Sequence, residues 1–501
     1  MHLPAEVDLL VIGGGINGVG IARDAAGRGL SVLLAEQNDL ASGTSSASSK
    51  LIHGGLRYLE QFEFRLVREA LAEREVLLRA APHLVHPMRF VMPHMPELRP
   101  AWVIRTGLFL YDYLARRQTL PGSHGTDLRA APYSAGLKPG LARGFVYSDC
   151  WVDDARLVIA NARAAARLSA CMLTRTACVC ARREGRWWRV MLRDEQGRQT
   201  NVAARALVNA GGPWVRTILA EVVRQPVTFG LKLVKGSHIV VPKLYDGKHA
   251  FILQNDDRRV VFVYPYEQRY TLIGTTEVEL QGDPGSCAAG EDEIDYLCRA
   301  ANRYFSRQVK QGDVVWSYCG IRPLFDDGST NPSAVTRDYV LRVDGEIDDA
   351  PLLSVFGGKI TTYRKLAEHA LARLAPWFSR MPGGWTSAAP LPGGELDGDD
   401  FTQFAAARVP RDFPWLPASL CDALARRHGK NVYEVLDGAA HVGDLGQNFG
   451  ADLYAREIDY FIQQEWARTA EDVLWRRTKA GLHLTPVQQQ ALSAYVVQRI
   501  S

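Results

Sequence analysis

From Val7 to Ile12 the chain reads VDLLVI, apolar at every position except Asp8. A run this short with apolar residues on both faces predicts a buried strand of a parallel sheet. GGGING follows, then a helical stretch from Asn17 to Arg28 that Gly29 closes, then SVLLAE from Ser31 to Glu36. The first 36 residues therefore predict strand, helix, strand. Over 63–81 the apolar positions Leu66, Val67, Ala70, Leu71, Leu77 and Leu78 recur at helical spacing. Asp153 or Asp154 is placed to cap a helix from Ala155 to about Leu168. CMLTRTACVCAR, RWWRVMLRD and TNVAARALVNAGG predict three strands, the last two joined by the turn residues DEQG. Between Phe229 and Gly282, runs such as HIVV, RRVVFVYPY and YTLIGTT predict a separate, mainly antiparallel sheet. Helical spacing returns from Glu291 to about Gln308, and PLLSVFGGKITTYRKLAEHALARL reads as strand, glycine turn and helix.

SAAPLPGGELDGDD (387–400) is a linker by its Pro, Gly and Asp content, and the residues after it are helical in pattern. The chain thus predicts a mixed α/β protein of three domains. A discontinuous nucleotide-binding domain takes 1–85, 145–228 and 320–386. A substrate domain takes 86–144 and 229–319, and a helical domain takes 387–501.

Composition narrows the function classes. The chain has 501 residues, too many for one core. Its 59 basic against 55 acidic side chains leave a net charge of +4, too balanced for wholesale nucleic-acid binding. The eight cysteines form no C-x-x-C pair, which predicts free thiols in a reducing cytoplasm and no metal site. The N-terminal apolar run lacks a basic n-region and reads as a first strand, not a signal peptide. No 18-residue window is apolar throughout, so no bilayer span is expected.

Gly13-x-Gly15-x-x-Gly18 follows a strand and opens a helix. In this setting the first glycine permits the tight turn, the second lets backbone approach a pyrophosphate, and the third lets helix and strand pack closely. The helix N-terminus favours the phosphates. Glu36 ends the second strand, where an acid accepts bonds from ribose hydroxyls. The hydroxyl-rich loop ASGTSSASSK supplies Thr44, Ser45, Ser49 and Lys50 as further cofactor contacts. A nicotinamide enzyme would continue with alternating strand and helix. Here the pattern returns to the nucleotide domain at RALVNAGGPW, with Ala210 and Gly211, and again at LLSVFGGKITTYRK, with Gly358, Lys359, Thr361 and Thr362. Such returns suit FAD, whose long body lies between several segments. A helix starting near Thr361 or Thr362, aided by Lys359, would stabilise negative charge at the flavin N1 and C2 oxygen.

VIGGGINGVGIARDAAGRGLSVLLAE, TSSASSKLIHGGLRYLE, GFVYSDCWVDDARLV, LVNAGGPWV, KGSHIVV, IGTTEVE, GIRPLFDD and FGGKITTYRKLAEHAL together resemble the FAD-dependent, quinone-linked glycerol-3-phosphate dehydrogenases, the bacterial aerobic type above all. The resemblance runs over nearly the whole chain, including DVLWRRTKAGL at 472–482. It implies a Rossmann-like FAD domain of the glycine or D-amino-acid oxidase type, a substrate domain on an antiparallel sheet, and a helical C-terminal domain. It also implies oxidation of sn-glycerol 3-phosphate to dihydroxyacetone phosphate, with electrons leaving to ubiquinone or another membrane quinone. The FAD is expected to be non-covalent, because no His or Cys other than His53 sits at an attachment position in the N-terminal FAD motifs.

That chemistry gives HGGLRYLEQ, from His53, a meaning. Oxidising a secondary alcohol moves a hydride from carbon and a proton from oxygen. His53 suits the base, since its ordinary pKa of about 6.5 lies near working pH; a cofactor neighbour is the other reading. Arg57 and Tyr58 suit phosphate or hydroxyl recognition. The resemblance places Arg322 by the reacting carbon and makes Arg337 a phosphate ligand. By residue type, Thr275 and Thr276 are candidates to donate hydroxyl bonds to phosphate, and Lys359 to contact substrate as well as flavin.

Quinone delivery from a chain with no span implies a peripheral protein on the inner face of the cell membrane. TGLFLYDYLARRQ sets large apolar residues beside Arg116 and Arg117, as for anionic lipid, or forms an ordinary helix between domains. WRRTK (475–479) leaves a membrane face, a homodimer surface and a solvated helix open. The competing functions are an oxidase passing electrons from the same substrate to oxygen and a non-catalytic FAD-fold binding protein.

Overall fold

The computed structural model describes residues 3–95, 97–227, 229–257, 259–326 and 338–500. Arg337 lies outside them.

Strand Glu6–Ile12, helix Ile16–Gly27 and strand Val32–Ala35 form the predicted opening unit. The two strands pair in parallel, Leu9 beside Val32 and Ile12 beside Ala35. Gln199–Asn209 joins the other side of the first strand in parallel, and Leu352–Phe356 and Cys171–Leu173 extend the parallel core on either flank. Antiparallel neighbours complete a sheet of eight described strands. Helices Ile16–Gly27, Asp154–Arg167 and Tyr363–Leu374 cover one face. Their Val19, Ala22, Val158, Ile159, Leu366 and Ala370 are buried against strand residues Leu9, Val11, Val208 and Leu353. Asp153 caps the second of these helices by accepting from the Arg156 amide at 3.2 Å.

The second sheet has ten described strands and is antiparallel except where Ala250–Gln254 meets Val85–Pro93. Helix Glu291–Tyr304 packs on one of its faces and helix Ala101–Tyr113 on the other. Arg143–Val152 and Trp316–Asp326 both pair within this sheet, so the chain returns to the nucleotide sheet later than 145 and 320. Apolar alternation marks a strand but carries no label for the sheet that receives it, which is why composition placed these crossings early.

The C-terminal part is helical as expected, apart from the small pair Asn448–Gly450 and Leu453–Tyr454. It has its own core around Phe404, Leu424, Ile458, Phe461 and Val473. Cys287 and Cys319 are joined as a disulfide with Cα atoms 6.2 Å apart, so two of the eight cysteines depart from the free-thiol reading. Their separation of 32 residues gave no sign that the fold brings them together. Among the described residues no helix is long and apolar enough to cross a membrane, and no cluster of His, Cys, Asp and Glu is arranged to hold a metal.

Candidate active site

A cleft of about 500 Å³ is lined from both sheets. Its first end is built by the glycine turn. Gly13 adopts φ +112°, and a Cβ there would press on the Ala210 carbonyl. Gly15 and the helix start at Ile16 line the wall, and the Ile16 amide donates to Ser45 Oγ at 3.0 Å. Gly18 stands behind the wall, where a Cβ would collide with the Gly13 carbonyl, the packing role expected of the third glycine. Glu36 faces the cleft and accepts from the Gly14 amide at 2.7 Å and the Asn38 amide at 2.8 Å.

Thr44, Ser45 and Ser49 line the next stretch, with Ala210 and Gly211 opposite. Thr44 Oγ1 donates to the Ile321 carbonyl at 2.9 Å, tying this loop to the strand that carries Arg322. Lys50 does not reach the cleft. It is buried behind the loop, its Nζ bonded to Asp154 at 2.8 Å and to the Ser46 carbonyl at 2.9 Å, so it braces the loop and does not contact cofactor. Gly358, Lys359 and Thr361 line the far wall, whereas Thr362 is buried at the start of helix Tyr363–Leu374. One cleft holds both Gly13 and Lys359, and its donor set fits FAD: backbone amides and a helix start for the pyrophosphate, hydroxyls and cations along the rest.

At that other end His53, Arg57, Tyr58, Thr275, Arg322 and Lys359 share the wall. Lys359 Nζ sits 3.8 Å from the centre of the Tyr58 ring, a cation–π contact. Arg322 Nη1 is 3.4 Å from Glu277 Oε1. Arg57 has no carboxylate partner among the described residues. A side chain on Gly236 would strike Thr275 Oγ1 and come within 3.4 Å of Arg322 Nη2, so glycine there lets the two groups approach. Thr276 turns away, donating to Glu293 at 2.6 Å.

The glycines after His53 have distinct tasks. A Cβ on Gly54 would press into Leu71 and Tyr111, and Gly55 takes φ +75°. The Gly54 amide donates to Tyr111 Oη at 2.7 Å, and the Gly55 amide donates to His53 Nδ1 at 3.1 Å. The His53 amide donates to Thr361 Oγ1 at 3.3 Å, linking this turn to the last return of the nucleotide domain. Burial, then the cations Lys359, Arg322 and Arg74, push the His53 pKa down to about 4. The imidazole is therefore neutral at physiological pH.

Several lining residues escaped the sequence reading. His238 bonds Ser49 Oγ at 2.9 Å and stacks on Tyr318 with ring centres 4.8 Å apart. Burial, followed by Lys50 and Arg322, lowers its pKa to about 3. Arg259, Glu277 and Asp338 also line the cleft. Arg259 lies 4.4 Å over the Tyr296 ring and pairs with Asp257 at 2.6 Å. KGSHIVV and IGTTEVE stood among the family-like motifs and were the available signals, for His238 and for Glu277.

A Gly-rich strand-to-helix turn, an acid just past the end of the second strand facing the cleft, and later segments returning to the same cleft define the fold of a flavin-dependent oxidoreductase. The chain belongs to the FAD dependent oxidoreductase family, whose model matches residues 8–364. Residues 385–498 match the C-terminal domain of alpha-glycerophosphate oxidase. The aerobic glycerol-3-phosphate dehydrogenase of Escherichia coli K12 is 53% identical, covering 98% of this chain and 97% of that one. The D-erythritol 1-phosphate dehydrogenase of Brucella abortus is also 53% identical, covering 98% of both. The solved glycerol-3-phosphate dehydrogenase of Bacillus halodurans, complexed with FAD, superposes with a TM-score of 0.75 at 28% identity, over 99% of this chain and 94% of that one.

Proposed function

We propose that this protein oxidises sn-glycerol 3-phosphate to dihydroxyacetone phosphate on FAD and delivers the electrons to ubiquinone or another membrane quinone. The observation that carries the reading is the meeting of Arg322 and Lys359 with His53 in the cleft, both cations close enough to act on the imidazole. A neutral ring among cations suits a phosphorylated alcohol.

FAD, when bound, supplies the hydride acceptor for the substrate's central carbon. Arg57 and Lys359 hold the phosphate, the guanidinium as a rigid donor fork and the ammonium as a point charge, and Arg322 stands by the reacting carbon, close enough to share the dianion. His53 takes the hydroxyl proton. In the free site its Nδ1 receives the Gly55 N–H, which leaves the proton of the neutral ring on Nε2. Receiving the substrate proton requires the ring to exchange Gly55 for the hydroxyl or to turn over. The substrate assists: its dianion offsets Lys359 and Arg322, two of the groups that hold the His53 pKa down, and so strengthens the base once bound. Arg337 remains a proposed phosphate ligand on sequence resemblance alone.

Membrane delivery is supported by helix Ala101–Tyr113. Its inner side buries Ile104, Leu108 and Tyr111, while Trp102, Phe109 and Tyr113 are 72%, 55% and 68% exposed. Exposed Arg105 and Arg116 flank this stripe, and Phe62, 77% exposed, follows the segment that lines the cleft. An apolar stripe with basic flanks suits an anionic bilayer face at the cytoplasmic side.

The test is anaerobic addition of glycerol 3-phosphate to the FAD-loaded enzyme, followed by ubiquinone or by oxygen. Loss of the oxidised flavin absorbance and its recovery with quinone are expected. Recovery only with oxygen, with peroxide released, would identify an oxidase. The Brucella relative's name makes D-erythritol 1-phosphate the second substrate to try, and bleaching by the four-carbon compound alone would reassign the substrate.

A further inference from the structure

In the WRRTK segment Arg477 is wholly buried and Lys479 nearly so, while Arg476 is 11% exposed and turned toward protein carboxylates. Arg477 places two parallel bonds on Asp39, Nη1 to Oδ2 at 2.5 Å and Nη2 to Oδ1 at 2.8 Å. Arg476 Nε adds a third at 2.6 Å. Asp39 lies three residues beyond Glu36, in the segment that wraps the glycine turn; the Ala41 amide donates to the Gly14 carbonyl at 3.1 Å. The same segment is held a second time. Arg175 donates to Asp472 of the C-terminal domain at 2.8 and 2.9 Å, and its amide donates to the Asn38 carbonyl at 2.8 Å. Trp475 stacks on Trp316, centres 4.6 Å apart, on the strand that carries Arg322. Other ion pairs of this domain interface, such as Arg163 with Glu434, land on helix Asp154–Arg167 and not on the cofactor loop.

We infer that Arg477 and Asp39 are a positioning pair through which the C-terminal domain fixes the ribose end of the FAD cleft and so raises the affinity for FAD. The two guanidinium groups anchor the Asp39 carboxylate and so lock the loop whose amide at Asn38 orients Glu36. The cleft is thereby completed by a domain that does not line it.

The experiment uses the full chain stripped of FAD and titrated back, with flavin fluorescence giving the dissociation constant. Melting temperatures are taken with and without FAD, and KM for glycerol 3-phosphate is measured at saturating FAD. Arg477→Lys, which cannot keep the two-bond fork, and Asp39→Asn are each expected to weaken FAD binding about ten-fold or more. They should also narrow the gap between the two melting temperatures while leaving the FAD-saturated KM unchanged. Arg163→Ala, which cuts the interface elsewhere, should lower both melting temperatures and leave FAD affinity alone. Should Arg477→Lys fail to fold, Asp39→Asn alone decides. Unchanged FAD affinity in the pair variants, equal weakening in Arg163→Ala, or a raised KM at saturating FAD would each overturn the inference.

Discussion

Tyr111 and Gly54 are joined by a 2.7 Å bond from the Gly54 amide to the phenol oxygen, which in turn donates to Asp149 at 2.8 Å. The bond connects the helix whose outer side is apolar to the turn that carries His53. Arg74 completes the cluster, bonding Asp149 at 2.6 Å. All four groups are buried. Tyr111→Phe leaves the Gly54 amide only the 3.4 Å approach of Asp149. A buried donor left poorly paired costs about 1–3 kcal/mol. The variant should lose that much stability in denaturant unfolding and should reduce its flavin several-fold more slowly, with FAD content intact. A variant with wild-type reduction kinetics would show that the bond does not position His53.

The pH dependence follows from the sign of the His53 shift. A pKa lowered to about 4 keeps the imidazole able to accept a proton well below the ordinary histidine range. Flavin reduction, with the substrate phosphate's own ionisation divided out of kcat/KM, should hold level as pH falls from about 8 to about 5 and drop only near the lowered value. The limb in kcat should sit at higher pH, because bound dianion restores part of the shift. His53→Gln should slow reduction by about 10²–10⁴-fold and remove the limb. If the variant keeps the wild-type limb, another group is the base.

Arg57 and Arg322 should report separately on phosphate. Alanine at either position removes a charge-assisted bond worth about 1.5–3 kcal/mol, a rise in KM of roughly 10- to 150-fold, with FAD still bound. Steady-state kinetics on FAD-saturated variants measure it. Since Glu277 already engages Arg322, Glu277→Gln should tighten phosphate binding modestly; weaker binding would mean that Glu277 orients Arg322.

Membrane attachment should depend on the exposed stripe more than on its basic edge. Replacing Trp102 and Phe109 with Ser should abolish sedimentation with anionic vesicles. Arg116→Glu should weaken it by about 1 kcal/mol per charge lost and more for the reversal. Arg117 is half-buried and donates to the Asp112 carbonyl at 3.2 Å, so Arg117→Glu should act partly through the helix end. Activity with a soluble dye should survive in the first two variants. Unchanged vesicle binding in the Ser variant would exclude this face.

FAD should be released by acid, leaving the precipitated protein colourless, since the cleft offers backbone amides, hydroxyls and charges to the cofactor. Colour retained in the pellet would demonstrate a covalent link, with His53 the first residue to examine.

What the sequence determined by itself was local or periodic. The strand, the glycine turn and the helix from Val7 to Gly29 follow from apolar runs and backbone freedom, and both are written in adjacent residues. Glu36, Thr44, Ser45 and Lys359 were legible as cleft residues because a strand end, a hydroxyl loop and a glycine turn have fixed offsets from their elements. Tertiary structure decided everything that depends on long-range partners. Lys50 looked like a cofactor contact and is a buried brace, because Asp154 lies 104 residues away in sequence and 2.8 Å away in space. WRRTK looked like a surface for the same reason: its partner Asp39 is 438 residues distant. A charged side chain declares its chemistry in the sequence, but the low-dielectric interior in which it is paired exists only after the chain has folded. The depressed pKa of His53, set by burial and by cations from three separate segments, is likewise a property of the assembled cleft and of no stretch within it.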